Sequence, residues 1–160
     1  MCKKTFCEFC RDDATFTSHA ATLLGTIKGN GYSYAGRRAY CDICGREVFV
    51  PEIMDGNLEA LYNEYRKQNG LIALHQLREI PEKYQIGKKP LSVLLGWEEQ
   101  TFPRYFDGDV PSKACSDMLK RIRTEPAYYG ELLEAGRHRL TRAAYQMSRR
   151  AVDALLQTVV

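Results

Sequence analysis

Residues 90–112 read "PLSVLLGWEEQTFPRYFDGDVPS". Leu91, Leu94 and Leu95 recur at helical spacing and give a short helix one buried face. Ser92 is small, as a site needs to be where a second helix crosses closely. Gly96 supplies the turn and Trp97 points back to the core. A second helix then carries Thr101, Phe102 and Tyr105, and after Gly108 a further helix starts near Ser112. Phe102 and Tyr105 are expected to face inward, with Glu98, Glu99, Gln100, Pro103 and Arg104 towards the other side. Two short helices joined through a glycine turn commit this part of the chain to an all-helical fold.

Pro103 complicates that pattern. If the second helix starts near Glu98, the proline lies beyond its first turn. It then forfeits a bond to the Glu99 carbonyl and clashes there, at a cost of ~3 kcal/mol if nothing relaxes. A strained helix with a local kink keeps the core spacing of Phe102 and Tyr105, and is the expected form. A helix that starts late is the alternative. Glu98 and Glu99 suit the positive end of a helix dipole, so capping is their expected role.

The outward face bears Gln100 and Arg104, residue types that pair with base edges, Arg with guanine and Gln with adenine. A plain bundle whose outer face happens to carry them is the bland alternative.

Working outward, Cys7-Glu8-Phe9-Cys10 and Cys41-Asp42-Ile43-Cys44 are two C-x2-C pairs separated by 30 residues. Each pair points two sulfurs at one centre, and a hairpin joining them closes a tetrahedral four-thiolate site for one structural Zn2+. Gly45 follows the second pair, where the chain must turn back. Arg11 occupies the equivalent place in the first pair, which makes that turn less ideal. Lys3, Lys4, Arg11 and Arg46 are placed to offset the site's negative charge. Of the other thiols, Cys2 is expected to be free and Cys115 to be core. His19 reads as a strand or surface residue, and His75 and His138 receive no role.

Between the pairs, "TLLGTIKGNGYSYAG" has the look of a hairpin turning at Gly29-Asn30-Gly31. "EVFVPEI" continues as an expected strand that Pro51 ends. The predicted fold class is therefore α+β, a small β-rich zinc module followed by an all-α domain. The expected divisions are a module over 1–51, a helical connector over 52–70, a helix-turn-helix domain over 71–125 and a helical extension over 126–160. Expected helices after the connector cover about 71–79, 82–86, 89–95, 98–106, 113–123, 127–134 and 138–157. In the last of these, Leu140, Ala144, Met147, Ala151 and Ala154 form a heptad-like seam, read either as packing on the chain's own core or as a dimer contact. Arg137, Arg139, Arg142, Arg149 and Arg150 make its exterior basic, either solvated or within reach of flanking phosphates.

Bulk composition excludes little else. The chain has 160 residues, a net charge of +3 and 27% charged residues, which argues against indiscriminate electrostatic capture as the main function. No apolar run approaches a membrane span, and the N-terminus lacks a secretory apolar region, so no membrane partner and a cytoplasmic location are expected. In that reducing compartment clustered cysteines favour metal over disulfides. No βαβ pattern surrounds the cysteine pairs, and no Ser/His/Asp or carboxylate constellation stands out, so no enzymatic activity is expected.

The stretch from Pro90 to Ser112 resembles the Xre-type helix-turn-helix. The order of parts, a four-cysteine zinc module and then this domain, resembles the MqsA family of type II antitoxins over roughly residues 1–123. The resemblance implies a homodimer that binds a palindromic DNA operator as a repressor, and a zinc module that binds a protein toxin. By position, the family's base-reading pair falls on Gln100 and Arg104, and a phosphate contact falls on Lys88 with Lys89 beside it. Thr101 completes the expected DNA-binding set. A free-standing regulator of a phage or mobile element, without a toxin, is the alternative function.

Overall fold

The computed structural model describes residues 3–158. It has the expected α+β class, with a three-stranded antiparallel sheet followed by helices. The chain divides into two compact units, one ending at Gln68 and the other beginning at Asn69.

In the first unit, β1 (Lys4–Cys7) pairs with the start of β2 (Asp12–Ile27), and the rest of β2 pairs with β3 (Asn30–Cys41). Ile27 opposes Asn30, so the tight turn is Lys28-Gly29, one residue earlier than the Gly-Asn-Gly reading. Both turn residues have positive φ, 51° and 81°. That backbone twist matches the right-handed twist of the strands it joins. The expected strand after the second cysteine pair does not form. Glu47 makes a single bridge to Tyr40, and the chain enters α1 at Pro51. Proline suits that place, because the first N–H of a helix has no internal acceptor.

α1 (Pro51–Gln68) includes most of the stretch read as a connector, and it packs against β3. Leu61 joins Ile27 and Tyr32 in a small buried cluster, with Tyr62 and Tyr65 at its margin. Tyr65 meets Tyr32 edge-on at 5.5 Å. Asn57 acts as a clamp on β3. Its Oδ1 accepts from the Arg37 N–H at 2.8 Å and its Nδ2 donates to the Arg37 carbonyl at 2.9 Å. One amide thus satisfies both backbone groups of an edge residue, as a neighbouring strand would.

The second unit contains α2 (Leu74–Lys83), α3 (Lys88–Leu94), α4 (Thr101–Phe106), α5 (Lys113–Thr124) and α6 (Pro126–Ala135). A 3-10 turn over Arg137–Arg139 and α7 (Arg142–Thr158) complete it. Residues of all six helices share one core, which includes Leu77, Leu91, Phe102, Leu119, Leu133 and Val152. The C-terminal stretch is therefore packed into the same core as the helices before it. α2 runs through Pro81 where a break was expected; the proline forfeits the bond to the Leu77 carbonyl, and the helix ends two residues later, after the buried series Leu74, Leu77, Ile80 is complete. Tyr84 and Tyr129 stack at 3.9 Å inside the core. Burial pushes both phenols up to about 12. They stay neutral, and Tyr84 donates to the Ile122 carbonyl while Tyr129 pairs with Ser148 at 2.6 Å.

The seam expected on the last helix is displaced. Ser148 and Val152 are the buried positions of α7, and Tyr145 and Leu155 pack against the core beside them. Met147 and Ala154 are exposed. The inward stripe therefore runs one residue later along the helix than the small-residue pattern suggests.

Candidate metal centre and helix-turn-helix surface

The sulfurs of Cys7, Cys10, Cys41 and Cys44 all lie within 4.8 Å of one another. Cys7 and Cys44 are 3.6 Å apart, and Cys10 and Cys41 are 4.0 Å apart. A tetrahedral ion with metal–sulfur bonds of about 2.3 Å requires sulfur separations of about 3.8 Å, so the four thiols fit one. The two pairs reach this geometry by matching turns. Arg11 N–H donates to the Cys7 carbonyl at 2.8 Å, and Gly45 N–H to the Cys41 carbonyl at 2.9 Å. Gly45 has φ 75°, and Arg11 adopts φ 56° in the same role, so the arginine takes the left-handed conformation despite its side chain. Backbone N–H groups also point at sulfur, Cys10 to Cys7 and Ile43 to Cys41, both at 3.4 Å.

These contacts separate the thiols electrically. The Cys10 N–H leads the effects that lower Cys7 to about 7. Cys10 is pushed up to about 12, first by its hydrogen bond with Cys44. Four thiolates in one place repel, and a divalent cation is the group that lets all of them ionise together. With four protein ligands no coordination position remains for a substrate, so the centre fits a structural role. Arg46 lies with its guanidinium 3.6 Å from the Phe9 ring, and its carbonyl accepts from Cys41 N–H at 2.8 Å, tying the two turns to each other. His19 stands apart, exposed on β2 with its ring 5.9 Å from Tyr40. Cys115 is half-buried on α5. The reading of Cys2 lies outside the described residues.

In the second unit, α3 and α4 are joined through Leu95–Gln100, with Gly96 at φ 77°. The second helix starts late. Its first backbone bond runs from Arg104 N–H to the Gln100 carbonyl at 3.1 Å, and Pro103 is its third residue. The expected kink is thereby overturned, because a first-turn N–H has no acceptor within the helix and a proline there forfeits nothing. Glu98 and Glu99 do not cap α4. Its orphan Phe102 N–H is satisfied instead by the Ser92 hydroxyl, at 2.8 Å. Ser92 is fully buried. It therefore serves two ends, a close crossing of α3 and α4 and a cap supplied from outside the helix. The sequence suggested only the first.

Phe102 is buried and Tyr105 packs on the core, with Trp97 meeting Tyr105 edge-on at 5.9 Å. The residues expected to meet DNA fall around this pair of helices. Gln100 precedes α4, Thr101 opens it half-buried, and Arg104 is exposed on it. Because the first helical bond links Arg104 to Gln100, the two stand one turn apart even with the late start. Lys88 and Lys89 open α3 and are exposed, and the Lys88 ammonium lies 4.0 Å from the Phe106 ring centre.

Beyond the turn, Gly136 approaches the end of α3 so closely that a Cβ there would lie 2.8 Å from the Leu94 carbonyl oxygen. Arg139 donates to the same oxygen at 3.4 Å. The segment after α6 thus abuts the turn between α3 and α4, which no sequence pattern indicated.

Among the described residues no helix is long and apolar enough to cross a membrane. Compared with known protein families the chain matches none, and no curated protein matches it. Its standing rests on its own geometry, a four-cysteine site able to hold a metal ion on a small antiparallel sheet, followed by a helical unit compatible with a helix-turn-helix.

Proposed function

We propose that this chain is a non-enzymatic, sequence-specific DNA-binding repressor with one structural zinc, acting as a homodimer on a palindromic operator. The observation that carries the reading is the α3–α4 pair. Ser92 and Phe102 fix the crossing, while Gln100 and Arg104 stay exposed one turn apart and Lys88 and Lys89 stay exposed at the start of α3. Arg and Gln are suited to base edges, and the lysines to phosphates. The resemblance to MqsA-type antitoxins extends the proposal to a protein toxin held by the zinc-bearing unit, with repression of the operon that encodes both.

Selection of duplexes by the purified chain from a random pool tests the DNA reading. A palindromic consensus is expected. Arg104→Ala should weaken binding to it by roughly 1–3 kcal/mol and relax preference at one base pair, whereas Lys88→Ala should weaken binding to all sequences and lower the salt slope by about 1. Selection that yields no consensus would overturn the reading. Capture of the neighbouring gene's product by the full chain tests the toxin. A chain that selects an operator and captures no such product is a free-standing regulator.

A further inference from the structure

We infer that Arg137, His138 and Arg142 form a phosphate-binding shelf that extends the DNA contact beyond the helix-turn-helix onto the duplex flanking the operator. The inference rests on the DNA-binding reading above. It begins from a charge asymmetry in the sequence. From Ala135 to Val152 there are five arginines and no acidic residue.

The fold sorts those arginines by what they do. Arg149 is consumed locally, bonded to Glu134 at 3.3 Å and to Asp153 at 2.9 Å. Arg139 is turned to the Leu94 carbonyl at the end of α3. The Arg137 guanidinium lies over the Tyr145 ring, 4.3 Å from its centre, a contact that holds it without neutralising its charge. His138 and Arg142 make no hydrogen bond or ion pair among the described residues and are exposed. Arg137, His138, Arg142 and Tyr145 border one shallow depression. Glu134 is the acid on its rim, and it is occupied by the Tyr145 hydroxyl at 2.5 Å and by Arg149. The helix end beneath is also spoken for, since the Thr141 hydroxyl accepts from Ala144 N–H at 3.1 Å. What remains unsatisfied is the arginine charge.

Position selects the partner. Through Gly136 and Arg139 this segment is seated at the C-terminal end of α3, and Lys88 and Lys89 open the other end. A helix of seven residues is about 10 Å long, so α3 is bracketed by basic groups about three phosphate steps apart along one strand, at roughly 3.4 Å of duplex axis per step. An aromatic floor under a guanidinium, with a second arginine beside it and the rim carboxylate of Glu134 engaged by Tyr145 and Arg149, suits a phosphodiester chain better than a base edge.

The test uses the full chain and its selected operator in two duplexes, one with four flanking base pairs on each side and one with fifteen. Binding is followed by fluorescence anisotropy across a salt series. Wild type is expected to bind the long duplex about tenfold or more tightly than the short one, with a slope of log K against log salt steeper by about 2, near 0.9 per added phosphate contact. The R137Q/R142Q double variant should lose that advantage and keep its short-duplex affinity and selected sequence. R142E alone should lose at least half of it. That side chain makes no hydrogen bond or ion pair among the described residues, so R142E decides the matter if the double variant melts early. A wild type with no length advantage, or an R142E variant that keeps it, overturns the shelf and leaves the repressor reading standing. Failure of wild type to bind either duplex overturns both.

Discussion

The hairpin unit and the helical unit bury very different amounts of apolar surface. The helical unit closes thirteen buried apolar side chains into one cluster, from Ile72 to Val152. The hairpin unit has two small clusters among its described residues. One of them is Cys7, Ala14 and Cys41, and the other is Ile27, Tyr32 and Leu61. Phe6, Phe9, Ile43 and Phe49 remain exposed around the cysteine turns. A unit of this size with so little core needs a staple, and the four converging sulfurs supply the place for one. The helical unit thus rests on side-chain packing, whereas the hairpin unit, with far less of it, carries a four-cysteine site able to hold a metal ion.

The largest expected effect breaks that comparison directly. Metal analysis should give one equivalent of zinc, and its removal by chelation should unfold the hairpin unit while the helical unit melts as before. Structural zinc sites contribute apparent energies on the order of 10–16 kcal/mol, so Cys41→Ser should abolish the first unit's cooperative fold rather than weaken it. Acidification should release the metal, because each ligand must shed its proton to bind. Amide exchange over β2 and β3 reads the outcome, and slow exchange there in metal-free protein would show that the hairpin does not depend on the ion.

The matching intervention in the helical unit is smaller. Ser92→Ala removes the hydroxyl that satisfies the Phe102 N–H and leaves a buried donor unpaired. A loss of about 1–3 kcal/mol is expected in the helical unit's thermal transition, with none in the hairpin's. Operator affinity should fall as well, because α4 loses its anchor to α3. An unchanged transition would mean that water or another acceptor replaces the serine.

Legibility divides along the same line. The four-cysteine cluster could be read from spacing, because two C-x2-C pairs each aim two sulfurs at one centre. The inward residues Leu91, Leu94 and Phe102 could be read because helical periodicity was intact on both sides of Gly96. The Ser92 cap could not, since it joins residues ten apart through a buried hydroxyl, and a small residue at a crossing already had a sufficient explanation. The strand expected after Arg46 failed because β-type residues describe a burial preference rather than a partner, and Pro51 placed a helix start one residue beyond Val50. Gly136 against Leu94 was invisible because close approach of two segments leaves no periodic trace.

Asn57→Ala sharpens the comparison from the hairpin side. It removes both bonds to the Arg37 backbone while leaving the metal ligands untouched. Because the clamp is exposed, water replaces much of what is lost, and about 0.5–1.5 kcal/mol is expected. The loss should be confined to the metal-bound form's hairpin transition. A fall in zinc content would instead couple the clamp to the cysteine turns.

The smallest expected effect concerns Pro103. A proline past the first turn would strain α4, and Pro103→Ser would then stabilise the protein by up to about 3 kcal/mol and re-aim Gln100 against Arg104. With α4 starting at Thr101, the ring sits in the first turn, where the new serine N–H gains no acceptor within the helix. What the substitution changes is the unfolded chain, which regains backbone freedom that proline had removed. The expected result is a destabilisation of about 0.4–1 kcal/mol, with the same selected operator and the same zinc content. The Gln100–Arg104 spacing is set by the first helical bond between them, which the proline does not touch. Paired thermal melts and operator selections decide the matter. A clearly stabilised Pro103→Ser protein with a new consensus would restore the kinked helix and require α4 to begin before Gln100.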